Sequence, residues 1–244
     1  MSAAATRRSP RRGRILAVTI AAAIGLGGFS ALAIWQVQRL HWKRDLIERV
    51  DARVHADPVA APGPQDWPGL TRENAEYRHV SVTGSYLPDA DIPIYVPSDW
   101  GPAYWILTPL RREDGSIVMI NRGMAPETEL ETLPPAPSGE VTVTGLLRIS
   151  EDEGWLFSQE NRPDEQKWYR RDIGSITATL GYDPAAPYFI DADLVDPEAW
   201  PRAGMTVIQF RNAHLSYALT WGALALLVIG GYGLFLRQEL RPRD

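Results

Sequence analysis

Four side chains near one end of an uncharged stretch carry most of the chemistry this sequence offers. Arg211, His214, Tyr217 and Trp221 lie in RNAHLSYALTW, and no residue from Asn212 to Leu236 is charged. On a helix, His214, Tyr217 and Trp221 stand at i, i+3 and i+7 and share one stripe. A neutral imidazole is a good axial ligand for haem iron. With a rise of ~1.5 Å per residue, Trp221 sits roughly 10 Å from His214 along the axis, about the reach of a porphyrin. Arg211, one turn before His214, and Arg39, one turn beyond Trp35, could meet carboxylates such as haem propionates. The same residues taken singly also read as anchors: His, Tyr and Trp gather at membrane boundaries, and Arg snorkels there. Residue types alone leave both readings open.

The elements that must position these groups follow from the apolar layout. Two blocks, Ile15–Trp35 and Asn212–Leu236, are uncharged over 21 and 25 residues. Each meets the ~20 residues a helix needs to cross a bilayer. The first 14 residues hold five arginines and no acid, and the tail after Leu236 holds three arginines against two acids. Residues 38–213 hold 17 basic and 28 acidic residues, a net charge of −11. Arginine-rich short ends mark the cytoplasmic side. The expected organisation is a cytoplasmic Arg-rich tail (1–14), a transmembrane helix (15–36), an extracytoplasmic domain (37–211), a second transmembrane helix (212–236) and a cytoplasmic tail (237–244). Ala31-Leu32-Ala33 resembles a signal cleavage site, but the apolar block outruns a signal peptide and closes on Trp35, so retention as an anchor is expected. Small residues at four-residue spacing, Ala23, Gly27 and Ala31 in one span and Ala218 and Gly222 in the other, would let helices approach closely.

Composition removes several chemistries. There is no cysteine, which excludes disulfides, thiolate-ligated metals and haem attachment through C-x-x-C-H. The acidic middle argues against nucleic acid as a partner. Ser81, Ser85 and Ser216 sit in no nucleophile motif, His41, His55 and His79 have no metal spacing, and no phosphate loop is present. Asp191 and its neighbours read as a solvated strand end rather than a catalytic cluster, and no enzyme is expected.

Between the spans, WQVQRLHWKRDLIERVDARV continues as an amphipathic helix with Leu46, Ile47, Val50 and Val54 on one face, ending by Asp57-Pro58. PVAAPGPQDWPG reads as a linker. Short strand-like runs follow: YRHVSVTGSY, DIPIYV, AYWILTPL, SIVMINRG, EVTVTGLLRI, PYFIDA and MTVIQF. They predict an antiparallel sheet or partial barrel, with a surface loop at APETELETLPPAPSG. A helix is expected at Asp172–Leu180, capped by Asp172 and ended by Gly181. The fold class is therefore a membrane protein with two transmembrane α-helices flanking an α+β, mainly antiparallel-sheet extracytoplasmic domain.

The chain resembles the Surfeit-locus (Shy1-like) cytochrome c oxidase assembly family. The matching pieces, in order, are WQVQR and HWK within Trp35–Lys43, YRHVSVTG at Tyr77–Gly84, LTPL at Leu107–Leu110, and INRG with a following proline at Ile120–Pro126. GLLR at Gly145–Arg148, WYRRD at Trp168–Asp172, PYFIDA at Pro187–Ala192 and RNAHLSYALTW at Arg211–Trp221 complete the set. The chain departs from the family at Met124, where the pattern usually has Trp. The resemblance implies a non-enzymatic assembly factor for haem–copper cytochrome c oxidase that binds haem a transiently and aids its insertion into the large catalytic subunit. Its implied partners are that subunit, haem A synthesis or other assembly factors, and the lipid bilayer. Its implied place is the cell inner (cytoplasmic) membrane, multi-pass, with the soluble domain in the periplasm. His214 falls on the family's haem-linked histidine, the expected axial ligand. Haem would lie between the spans, with Tyr217 and Trp221 as walls, Trp35, Gln36 and Arg39 approaching from the first span, and Arg211 near the propionates. The alternative is a membrane-anchored scaffold that stabilises an oxidase assembly intermediate without binding haem.

Overall fold

A computed structural model of the chain describes residues 10–98, 101–152, 159–204 and 212–241. They fall into two units: residues up to Arg49 together with Gln209 onward, and Val50–Ile208. The expected strand MTVIQF lies outside the described residues.

In the first unit two helices pair. Helix α1 runs unbroken over Pro10–Val54, so the apolar block and the amphipathic stretch after it are one 45-residue rod. The second long helix, His214–Leu240 and called α4 below, carries the other block. Both are long and apolar enough to cross a membrane. On α1 the less exposed positions include Ile15, Thr19, Ala22, Leu26, Phe29, Ala33, Gln36 and Leu40; on α4 they include His214, Ala218, Trp221, Ala225, Val228, Tyr232, Phe235 and Glu239. Both sets alternate steps of four and three, the spacing that keeps one seam facing a partner helix. The contacts run antiparallel. Arg11 and Arg14 meet Glu239 at 3.4 and 3.0 Å, and Thr19 Oγ1 hydrogen-bonds Tyr232 Oη at 2.7 Å. Further along, Phe29 stacks on Trp221 with centroids 5.8 Å apart, and His214 bonds Gln36. Of the expected small-residue stripes, only Ala218 lies buried at the close approach. Ala23, Gly27 and Ala31 are exposed, and a Cβ added at Gly27 or Gly222 would meet nothing. Gly25, which faces Val228, and buried Ala218 and Ala225 take that role.

The second unit is built on seven strands: β1 Val59–Ala60, β2 His79–Tyr86, β3 Ile92–Ser98, β4 Gly101–Arg111, β5 Ile117–Pro126, β6 Glu140–Ile149 and β7 Ala185–Ala192. Two helices accompany them, α2 at Arg72–Ala75 and α3 at Ile173–Leu180. Five strands close a ring. β2 pairs with β6, β6 with β7, β7 with β5 and β5 with β4, and β4 returns to β2 through Ser85–Arg111 and Tyr86–Leu110. The pairing is mainly antiparallel, as expected, but β5–β7 and β1–β2 are parallel. Closure needs backbones to touch: a Cβ at Gly84 would lie 2.4 Å from the Arg111 carbonyl oxygen, and one at Gly145 would lie 2.2 Å from that of Asp191.

Val80, Val82, Leu110, Val118, Ile120, Leu147, Tyr188 and Ile190 fill the ring's interior. The alternate residues Ile117, Met119 and Phe189 point outward and are covered by Ile173 and Ile176 of α3, with Trp168. Strands buried on both faces read as continuous apolar runs, which is why IVMI and YFI show no alternation. The expected α3 is present, with Asp172 accepting from the Ser175 amide at 3.1 Å and Gly181 closing it in a left-handed conformation.

Residues 58–69 are not a free linker. Ala61 is buried, and the Pro62 carbonyl accepts from Trp67 Nε1, Arg112 Nη1 and Tyr188 Oη at 3.2, 3.0 and 2.8 Å. The stretch plugs one end of the ring. The expected loop after β5 opens with a 3-10 helix at Glu127–Thr132. On β3 the Tyr95 amide points outward to the Trp168 carbonyl at 2.8 Å. Pro93 and Pro97, two residues either side, face the same way without a donor, so these positions offer a further strand no free amide.

Candidate functional site

His214 opens α4 behind Ala213, an N-cap that makes no side-chain hydrogen bond. Its Nδ1 lies 2.8 Å from Gln36 Oε1, and Gln36 is only 8% exposed. Burying an amide among apolar residues is costly unless it is bonded, and this bond joins the two helices at their seam. Nε2 of His214 has no partner among the described residues. Trp221, two turns along, is covered by Phe29. Tyr217 and Trp35 face outward, 55% and 53% exposed. The Arg39 guanidinium stacks over the Trp42 ring at 3.9 Å. Arg211 lies outside the described residues. Of the seven expected site residues, the fold thus brings His214 and Gln36 into contact, puts Trp221 in the same seam, and leaves Trp35, Arg39 and Tyr217 on the outside of the pair.

Helical steps of ~100° per residue relate those outer groups. With Gln36 and His214 facing each other, Trp35 and Arg39 fall on one flank of α1, and Tyr217 falls on the flank of antiparallel α4 that faces the same way. A ligand nitrogen and an exposed indole, phenol and guanidinium therefore share one side of the pair. This donor set suits a flat, anionic, iron-bearing macrocycle.

The second unit holds a polar centre that sequence reasoning missed. Asp191, only 5% exposed, is no solvated strand end. Its carboxylate accepts from Asn121 Nδ2 at 2.7 Å, Arg148 Nη1 at 2.9 Å and Arg171 Nη1 at 3.4 Å. Arg148 also donates through Nε to Glu76 at 2.8 Å, and Arg171 donates to Glu151 at 2.6 Å. The two guanidiniums lie over aromatic faces: Arg148 over Tyr77 at 4.9 Å, and Arg171 over Phe189 at 4.8 Å and Trp105 at 5.3 Å. Burial opposes the Arg148 charge, but Asp191 and then Glu76 outweigh it and raise its pKa. Residues from YRHVSVTG, INRG, GLLR, WYRRD and PYFIDA meet here. Each of these charges faces an opposite charge, an arrangement that ties together the segments of the barrel that supply them. The signal available was a lone charge closing each buried run, as in GLLR and YFID.

His79 forms a third polar contact. Its ring nitrogens face Ala56 O and Asp193 Oδ2, each at 2.8 Å. Both partners are acceptors, so the doubly protonated ring satisfies both. Burial disfavours that charge, but the Asp193 and Ala56 hydrogen bonds outweigh it and raise the pKa above its ordinary value.

A closed five-strand ring with α3 on its outer face, flanked in chain order by two helices long enough to cross a membrane, the second opening on a histidine held by the first, defines a two-helix, single-barrel class of protein. The chain belongs to the SURF1 family, whose sequence model matches residues 23–226. Surfeit locus protein 1 of Rattus norvegicus is 32% identical over 224 residues, covering 84% of this chain and 69% of that protein. The Homo sapiens protein of the same name is 31% identical over 215 residues, covering 80% and 69%. The SURF1-like protein of Monosiga brevicollis is 28% identical over 226 residues, covering 85% and 83%. The kinship expected from the ordered motifs is borne out.

Proposed function

We propose that this protein is a membrane-anchored assembly factor for haem–copper cytochrome c oxidase, carrying haem a as cargo and helping to place it in the large catalytic subunit. Family membership supports the assembly role. The observation that carries the cargo role is His214: a histidine at the mouth of an apolar helix pair, with one ring nitrogen bonded to Gln36 and the other without a partner among the described residues. Haem iron supplies a position that takes an imidazole nitrogen. His214 would hold it, Trp35 and Tyr217 would cover apolar porphyrin surface, and Arg39 with Arg211 would meet the propionates. Since Phe29 and Trp221 fill the seam, the cargo lies on the exposed flank rather than between the helices. A single histidine ligand suits cargo that must leave.

In this reading α1 and α4 span the cytoplasmic membrane with both ends inside. The arginine-rich ends support that orientation, and residues 37–211 then face the periplasm. The acidic domain docks on oxidase subunits or on factors of haem A synthesis. To test the cargo role, the protein is purified in mild detergent from cells making haem A, and its absorption spectrum is recorded. His214→Ala should lose most of the haem; an unchanged haem content would sink the ligand role. Deleting the gene should lower assembled oxidase activity, and a normal haem a band in those cells would count against the assembly role.

The competing scaffold reading draws on the same seam. His214, Gln36, Phe29 and Trp221 all find partners within the pair, as a purely structural anchor requires. It predicts that His214→Ala leaves oxidase assembly intact wherever the protein still accumulates.

A further inference from the structure

We infer that Gln36 is a positioning residue: it fixes which ring nitrogen of His214 is presented to a ligand. The inference rests on the haem reading above only for its consequence, since the geometry stands without a ligand. Gln36 is buried in the seam, and its Oε1 is 2.8 Å from His214 Nδ1. A carboxamide oxygen accepts and cannot donate, so this contact requires the proton on Nδ1. Nε2 then keeps its lone pair and has no partner among the described residues. Gln36 is buried and the bond part-buried, in a seam otherwise lined by Phe29, Ala33, Ala218 and Trp221, so water competes less for that proton than it would in solution. The bond therefore biases the tautomer by about tenfold or more, the equilibrium that one buried hydrogen bond commands. Without Gln36 the ring is free to protonate Nε2, and the nitrogen meant for a ligand becomes a donor. A histidine whose second nitrogen donates to a fixed oxygen is also held in rotation and is a stronger ligand.

The same bond could serve only to glue the helices, and the test separates the two roles. The chain has four histidines, so full-length protein labelled with 15N-histidine, free of haem and in detergent at pH 8, gives four ring systems. His214→Ala identifies the one of interest. Wild type should show His214 protonated on Nδ1; Gln36→Leu should move at least half of the population to Nε2–H. Gln36→Glu, which retains an acceptor, should restore Nδ1–H. Unchanged His79 signals in each variant report an intact barrel, and unchanged helical circular dichroism reports intact helices. An Nε2–H tautomer in wild type, or the same tautomer in wild type and Gln36→Leu, overturns the inference.

Titration with hemin then reads the consequence. Gln36→Leu should weaken binding about tenfold, and Gln36→Glu should bind with a more negative midpoint potential. Interhelical glue alone would move neither the tautomer nor the potential. If the tautomer follows Gln36 but wild type binds no hemin, the haem reading fails and the positioning role stands. If hemin binds wild type and Gln36→Leu alike with equal potentials, Gln36 does not prepare the ligand and that part of the inference fails.

Discussion

Asp191 is the residue on which the barrel's charges converge. Removing it leaves Arg148 and Arg171 facing each other across a buried site, and breaking a buried pair from one side costs about 3–5 kcal/mol. Asp191→Ala should therefore lower stability by that order in urea titrations of the detergent-solubilised chain followed by tryptophan fluorescence. Two titrating groups make contributions to the pH dependence that single substitutions can separate. His79 has a raised pKa, so the stability it contributes is complete below about 6.5 and is lost as pH rises through the raised value. Melting temperature should fall across that neutral-to-alkaline window, and Asp193→Asn should flatten the fall. Tyr188 is buried and bonded to Pro62, and burial pushes its pKa up to about 12. Its contribution is lost as pH climbs from about 10 toward that value, and Tyr188→Phe should shrink this alkaline limb, Tyr86, likewise pushed up to about 12 by burial, keeping its own share. None of this was legible in the sequence. The partners of Asp191 lie 20, 43 and 70 positions away, and no local pattern announces a contact made only when four segments meet.

Helix α3 shows the opposite case. Its cap, its stop and its apolar stripe of Ile173, Ile176 and Leu180 are all local, and the structure reproduces them. Ile176 is fully buried against β-strand residues, so Ile176→Ala should cost about 2–5 kcal/mol. Asp172→Ala, which removes only the cap, should cost about 1 kcal/mol; equal losses would mean that α3 docks by its end rather than its face. Strands β2 to β7 were legible as strands and a partial barrel was one expected arrangement, but β1 was read as linker and the pair that closes the ring was not legible. The return of β4 to β2 depends on Gly84 meeting Arg111, a non-local approach that a single glycine in a β-pattern only hints at. The 58–69 stretch misled for a related reason. Proline and glycine mark it as irregular, yet irregular backbone can still be buried when its carbonyls find donors, as Pro62 does three times.

The proposed membrane orientation can be read directly, because the chain has no cysteine to confuse labelling. Ser138→Cys places one thiol in the irregular segment before β6. A membrane-impermeant maleimide should modify it in spheroplasts, and labelling that appears only after lysis would reverse the topology. The helix pair itself behaves as a ruler. Its polar contacts are spread along its length: Glu239 with Arg11 and Arg14 at one end, Thr19 with Tyr232 between, His214 with Gln36 at the other. Sliding one helix by a heptad, about 10 Å, would break all of them together, so the arginines near one end set the depth of a histidine roughly 37 Å away. One residue inserted between Val228 and Tyr232 would turn the two halves of α4 against each other by about 100°. Either the glutamate or the histidine must then lose its partner, though every original side chain is still present.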